Sequence, residues 1–264
     1  MTSDMFSMTG KRIVVTGAAG HLGRELSIVL GAAGATVYAI DENESGLADL
    51  QAAGANVTGI IEAIVCDLSE EADRVALTQE LASRTSSLDG VVFAAAFVGT
   101  SSLEGWAVDF ANQSLEAWRD ALEVNLTAPF HLAQLMTGLL VNGSGSSVVN
   151  VGSIYGSVGP DWSLYQDQSM SNPAGYAASK GGLLQLTRWL SSTLAPDVRV
   201  NCVSPGGILR GQPEGFVDRY VKKTPLGRMA TEADIVGAIV FLLSGASAYI
   251  TGQEIIVDGG LTAI

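Results

Sequence analysis

Cations are scarce in this 264-residue chain: 14 lysines and arginines face 27 aspartates and glutamates, a formal charge of −13. A nucleic-acid-binding surface needs a basic footprint, so the overall balance argues against one and reads as solubility. Cysteine is nearly absent. Cys66 and Cys202 sit in the apolar runs "AIVCDL" and "VRVNCVSP", with neither a disulfide framework nor metal-ligand spacing, so no metal site is expected. No uninterrupted apolar run approaches the ~18 residues that span a bilayer. The opening "MTSDMFSMTG" lacks the basic and apolar regions of a secretory signal. The expectation is a soluble cytoplasmic protein acting on a small molecule, with neither nucleic acid nor membrane as partner.

What is present is apolar residue, at 47%, and glycine, at 31 positions. Short β-rich runs recur at 12–16, 36–40, 60–66, 90–96, 147–152, 198–203 and 254–258. Helical patterns fall at 21–33, 69–84, 114–140, 174–194 and 231–244. Runs apolar on both faces suit a buried parallel sheet. Their alternation with helices predicts a doubly wound α/β fold of about seven strands in three layers. No linker divides the chain, so 1–264 reads as a single domain. Irregular stretches at 97–112, 153–173 and 205–228 each follow a strand, and in open α/β sheets ligands bind beyond the carboxyl ends of the strands.

The first such end carries "VVTGAAGHLGREL". Gly17, Gly20 and Gly23 let backbone approach a pyrophosphate, and the helix that begins at His21 and Leu22 offers free N–H groups to it. Asp41 ends the second strand, 24 residues after Gly17, near the spacing of an acid on a ribose 2′-hydroxyl. With Glu42 and Glu44 beside it and no cation near, NAD is favoured over NADP. Asp41 could instead cap the next helix. Asp67 could take the adenine amino group or cap helix 69–84. Further on, "AGYAASKGG" sets Tyr176 and Lys180 on one helical face. A phenol titrates near ~10, and a neighbouring cation favours the phenolate. The pair is either a proton-transfer device or an ordinary amphipathic helix.

With the glycine turn, "GYAASK" and "YITGQEIIVDGG" in order, residues 10–262 resemble the short-chain dehydrogenase/reductase family. The resemblance implies a Rossmann-type fold, a nicotinamide cofactor and usually a homotetramer, here a tetramer or dimer. Carried over by motif, it implies a tetrad of Asn125 ("VNLTAPF"), Ser153 ("VNVGSIYG"), Tyr176 and Lys180. Tyr would exchange the proton, Lys would lower its pKa and hold the ribose, Ser would orient the reacting oxygen, and Asn would hold a water. "SPGGI" brings Pro205, Gly206 and Ile208 to the cofactor. The combination looks closest to oxidoreductases of bacterial surface-sugar pathways, such as those making legionaminate.

Several positions depart from the family pattern. His21 stands where short members show glycine, Phe93 and Ala94 replace two asparagines, and Arg210 replaces a threonine near the nicotinamide. Ser153 and Tyr176 are 23 residues apart, a long gap whose extra piece carries Asp161, Trp162, Tyr165 and Gln166, a mixture suited to sugar recognition or to a surface flap. Segment 208–228 holds Arg210, Arg219, Lys222, Lys223 and Arg228, which suits an anionic sugar derivative or solvated helix charge. The leading expectation is an NAD-dependent oxidoreductase on a secondary alcohol or ketone of a sugar or sugar phosphate. The alternatives are a 3-oxoacyl thioester reductase, which Asp41 opposes, and a non-catalytic dinucleotide sensor, which an intact Ser153, Tyr176 and Lys180 oppose.

Overall fold

The computed structural model describes residues 5–98, 101, 103–167 and 171–264. Seven parallel strands form one sheet in the order β3-β2-β1-β4-β5-β6-β7. They are β1 (Arg12–Thr16), β2 (Thr36–Asp41), β3 (Ile60–Val65), β4 (Gly90–Phe93), β5 (Ser146–Val151), β6 (Val198–Pro205) and β7 (Glu254–Val257). Alternation along each strand sends side chains to opposite faces. Ile13 and Val15 join one core with helix α1 (His21–Ala32), helix α2 (Glu44–Ala53) and helix α9 (Glu232–Leu243), while Val14 joins the other. That second core is closed by α3 (Glu71–Arg84), α5 (Ala128–Leu135), α6 (Thr137–Val141) and α7 (Ala174–Thr193). Each fully buried aliphatic side chain contributes about 1.5–3 kcal/mol, and both faces of the central strands are filled this way.

Three element boundaries differ from expectation. Helix α2, which the sequence reading gave no bounds, is started by Asn43, which accepts a hydrogen bond from the Gly46 N–H at 3.0 Å. Strand β4 stops at Phe93, short of 96. The stretch 114–140 is not one helix. It runs as α4 (Leu115–Leu122), a π-helical turn (Glu123–Thr127), then α5 and α6. Pro129 explains the break, because it has no N–H for the Asn125 carbonyl four residues back. Helix α8 (Glu214–Lys223) lies apart from the sheet and forms a small separate core of Leu164, Phe216, Tyr220 and Met229.

The glycine turn after β1 has little room. Gly17 sits at φ +67°, and a Cβ there would stand 2.8 Å from both Ala95 Cα and Ala95 N. A Cβ at Gly23 would stand 2.1 Å from the Gly17 carbonyl oxygen. Gly10 shares the left-handed backbone, at φ +73°, but has open space around it. We therefore expect Gly17→Ala to lose clearly more stability than Gly10→Ala, with the positive φ alone costing about 1–3 kcal/mol. Urea unfolding of the two variants checks this; equal losses would show that the close approach to Ala95 relaxes freely.

Candidate active site

A cleft of about 610 Å³ opens along the carboxyl edge of the sheet. At one end lies the glycine turn. Gly20 precedes α1 without any side-chain cap, so the first N–H groups of the helix are left for an anion. Gly17, Gly20, His21, Leu22 and Gly23 all line this wall. Asp41 is held at the end of β2, its two oxygens accepting from the Ala19 and Asn43 N–H groups at 3.0 Å each. It does not cap α2, which Asn43 does. Asp67 likewise does not cap α3; the residue preceding that helix is Glu70. The Asp67 carboxylate accepts from the Ser69 N–H and hydroxyl at 2.8 and 2.7 Å. Asp41, Glu42 and Asp67 make this end acidic. The wall carries backbone that only glycine permits beside an uncapped helix, which fits a dinucleotide.

Where the family pattern has asparagines, Phe93 is buried in the core and Ala94 offers backbone alone. The chain after β4 is braced from β1 instead, as the Thr16 hydroxyl accepts from the Ala94 and Ala95 N–H groups at 3.1 and 3.3 Å. Asn125 does not line the cleft. It is fully buried, accepts from Phe97 N–H at 2.8 Å, and donates to the Phe97 carbonyl and the Ser179 hydroxyl at 3.0 Å each. Its side chain ties the π-helical turn to the cleft wall and to α7.

Ser153, Tyr176 and Lys180 do line the cleft together. Ser153 follows β5 and accepts from the Tyr155 N–H at 3.2 Å. The Lys180 ammonium donates to the Val151 carbonyl at 2.7 Å and lies 5.8 Å from the centre of the Tyr176 ring. Burial pushes the Lys180 pKa down to about 8. The Tyr176 phenol is raised by burial, against which the Ser153 hydroxyl and the Arg210 guanidinium lower it. The Lys180 ammonium is directed at the Val151 carbonyl and the face of the Tyr176 ring. Burial also keeps both thiols protonated, Cys66 at about 12 and Cys202 at about 11.

Pro205, Gly206 and Ile208 also line the cleft. The Gly206 N–H donates to Val257 at 2.9 Å, and the Gly207 N–H to the Tyr220 hydroxyl at 2.5 Å. The substrate expectations divide. Tyr165 and Arg210 line the cleft; Asp161, Trp162 and Gln166 do not. Asp161 is ion-paired with Lys223, Trp162 is exposed against Tyr165, and the Gln166 carbonyl accepts from Arg219 at 2.6 Å. The basic cluster does not converge either. Arg210 pairs with Glu232 at 2.8 Å, Arg228 with Asp234 at 2.7 Å, and Arg219 and Lys223 fasten α8 to the 161–166 flap. The flap thus packs on α8 of its own chain, and only Arg210 of the five cations reaches the cleft.

The sequence reading passed over Tyr155, Asn172, Phe216, Tyr220 and Met229, all of which line the cleft. Phe216 and Tyr220 stand at helical spacing in a segment read for its charge. Asn172 lies four residues before Tyr176.

A family model described as "Enoyl-(Acyl carrier protein) reductase" matches residues 17–262. The chain is 33% identical to a tropinone reductase homolog of Arabidopsis thaliana, over 99% of this chain and 96% of that protein. A short-chain dehydrogenase from Leptospira borgpetersenii, solved with bound NAD+, superposes with a TM-score of 0.83 at 30% identity, covering 96% of this chain and 93% of that one. A gluconate 5-dehydrogenase from Burkholderia cenocepacia, in complex with NADP and tartrate, superposes at 0.87 with 26% identity over the full length of both.

The buried ammonium has a consequence for stability. In the unfolded chain Lys180 titrates near 10.5, against about 8 when folded. Below pH 8 both states hold the proton, and folding must bury the charge, at a cost of roughly 3 kcal/mol. Between pH 8 and 10.5 the folded state releases the proton first, so the penalty fades as pH rises. We expect Lys180→Met to melt higher than the parent at pH 7, with the gap narrowing from pH 8 to 10.5. A lower melting temperature at pH 7 would mean the bond to Val151 outweighs the burial.

Proposed function

The chain belongs to the short-chain dehydrogenase/reductase family, and from that premise we propose an NAD-dependent oxidoreductase acting on a secondary alcohol or ketone of a sugar or sugar derivative. The observation that carries this reading is the meeting of Ser153, Tyr176 and Lys180 in one cleft with the uncapped start of α1. Bound in that cradle, the nicotinamide supplies the hydride. The Tyr176 hydroxyl gives a proton to the carbonyl oxygen in reduction and takes it back in oxidation. The Ser153 hydroxyl holds the same oxygen and, with Arg210, favours the phenolate against the burial that opposes it. Lys180 presents its remaining N–H donors to the ribose hydroxyls. Asn125 acts by holding the Phe97 backbone and Ser179 in place.

The preference for NAD rests on Asp41 and Glu42, which would repel a 2′-phosphate in a region of the cleft with no lysine or arginine. The gluconate 5-dehydrogenase neighbour and the resemblance to surface-sugar oxidoreductases both support a polyhydroxylated substrate. We further propose that the chain works as one cytoplasmic domain and assembles into a dimer or tetramer through exposed apolar side chains such as Phe130, Trp189 and Ile256.

Two measurements test the reading. Tyr176→Phe should lower turnover by roughly 10²–10⁴-fold while NADH fluorescence titration shows binding within a few-fold of the parent. Full activity in that variant would remove Tyr176 from the chemistry, and NADPH-linked reduction of a 3-oxoacyl thioester would overturn both cofactor and substrate class. In the oxidation direction the phenolate is the base, and Arg210 lowers the Tyr176 pKa. Arg210→Gln should therefore move the rising limb of the pH–rate profile to higher pH; an unmoved limb would separate Arg210 from the proton transfer.

A further inference from the structure

Resting on the oxidoreductase reading, we propose that Asn172 reads a second hydroxyl next to the reacting carbon, so that this site selects vicinal diols and hydroxyketones over isolated alcohols and ketones. Asn172 is only 5% exposed and lines the cleft. Among the described residues neither its Nδ2 nor its Oδ1 has a hydrogen-bond partner. It stands just before Pro173, whose carbonyl accepts from the Tyr176 N–H at 3.1 Å, so its backbone is fixed at the start of the helix that carries Tyr176, and both residues line the one cleft. Beside it the Tyr155 and Tyr165 hydroxyls bond one another at 2.8 Å, and Tyr165 packs on Phe216 at 5.3 Å. Burial raises both phenols, which therefore remain neutral hydroxyls. The Asn172 amide stands close to the Tyr165 hydroxyl and favours its phenolate.

The chemistry of an amide decides which ligand fits. Its Nδ2 needs an acceptor and its Oδ1 needs a donor. A carboxylate or phosphate only accepts, and so does a thioester carbonyl; each would leave Oδ1 unpaired. A hydroxyl both donates and accepts and satisfies the amide, with the aromatic wall covering the carbon that carries it. A substrate without that hydroxyl leaves a buried amide unsatisfied, a loss corresponding to about tenfold or more in specificity.

The test compares kcat/KM, with NAD, for a vicinal set (butane-2,3-diol, threitol, ribitol) and an isolated set (butan-2-ol, pentan-2-ol). The parent should favour the vicinal set by about tenfold or more. Asn172→Leu should collapse that ratio through the diols alone, Asn172→Ser should restore part of it, and the NADH Kd by fluorescence should be unchanged in both. Activity without a vicinal preference, or a preference intact in Asn172→Leu, overturns the role of Asn172 and leaves the oxidoreductase reading standing. A changed NADH Kd with the ratio intact assigns the amide to the cofactor and also overturns it. Silence of the parent on every probe, with NADH still bound, overturns both readings.

Discussion

A strand that runs parallel to its neighbour cannot be joined to it by a tight turn; the chain must cross back over the sheet before the next strand begins. All seven strands here obey that constraint, and the rest of the molecule depends on it. The crossovers are the helices, and they cover both faces with apolar side chains. Every strand then ends at the same edge. Backbone N–H and C=O groups leaving the sheet there need partners, and the molecule supplies them from side chains of other elements. Thr16 of β1 receives the N–H groups after β4, Asn125 of the π-helical turn receives Phe97, and Lys180 of α7 donates to the last carbonyl of β5. The contacts that finish the sheet are the same contacts that position the cleft.

That arrangement places an ammonium where it has little exposure to water. Lys180 is 3% exposed with a single carbonyl as its partner, and a buried charge held this way is unfavourable to folding. A methionine in its place would pack as well and carry no charge. The persistence of the charge is understandable as a functional requirement that opposes stability, a conflict common at working sites. The same holds for the glycine turn, where Gly17 and Gly23 give up side-chain packing so that backbone can lie against backbone.

How much of this was readable in the sequence follows from the range over which each feature is determined. The sheet and its edge were readable, because alternation of strand and helix is a local pattern. So was the glycine turn, whose conformation is set within seven residues. The break inside 114–140 was readable too, from Pro129, but the apolar period masked it. Helix α2 hid behind Gly46 and an acidic start. The flap and lid stayed open between two readings for a different reason. Asp161 and Lys223 are 62 residues apart, and Leu164 and Arg219 are 55 apart; composition shows aromatics and cations there but not that they face each other. Of the five cations, Arg210, Lys223 and Arg228 are paired with acids of this chain, and Arg219 donates to the carbonyls of Leu164 and Gln166. The same limit applies to Tyr176, whose relation to Lys180 is fixed by helical spacing, while the direction of the ammonium is fixed by a carbonyl on β5.

The two ends of the cleft are therefore built on different principles. The end at the glycine turn is made of backbone and of acids held by backbone, so substitutions there meet steric limits within the turn itself. The other end is made of side chains on the flap and α8, held to each other by a small core of Leu164, Phe216, Tyr220 and Met229. The Tyr220 hydroxyl ties that outer core to the chain leaving β6, by accepting from the Gly207 N–H. On the proposed reading, Tyr176 and Lys180 stand on α7 beside the sheet edge, and Asn172 stands two residues ahead of that helix and lines the same cleft.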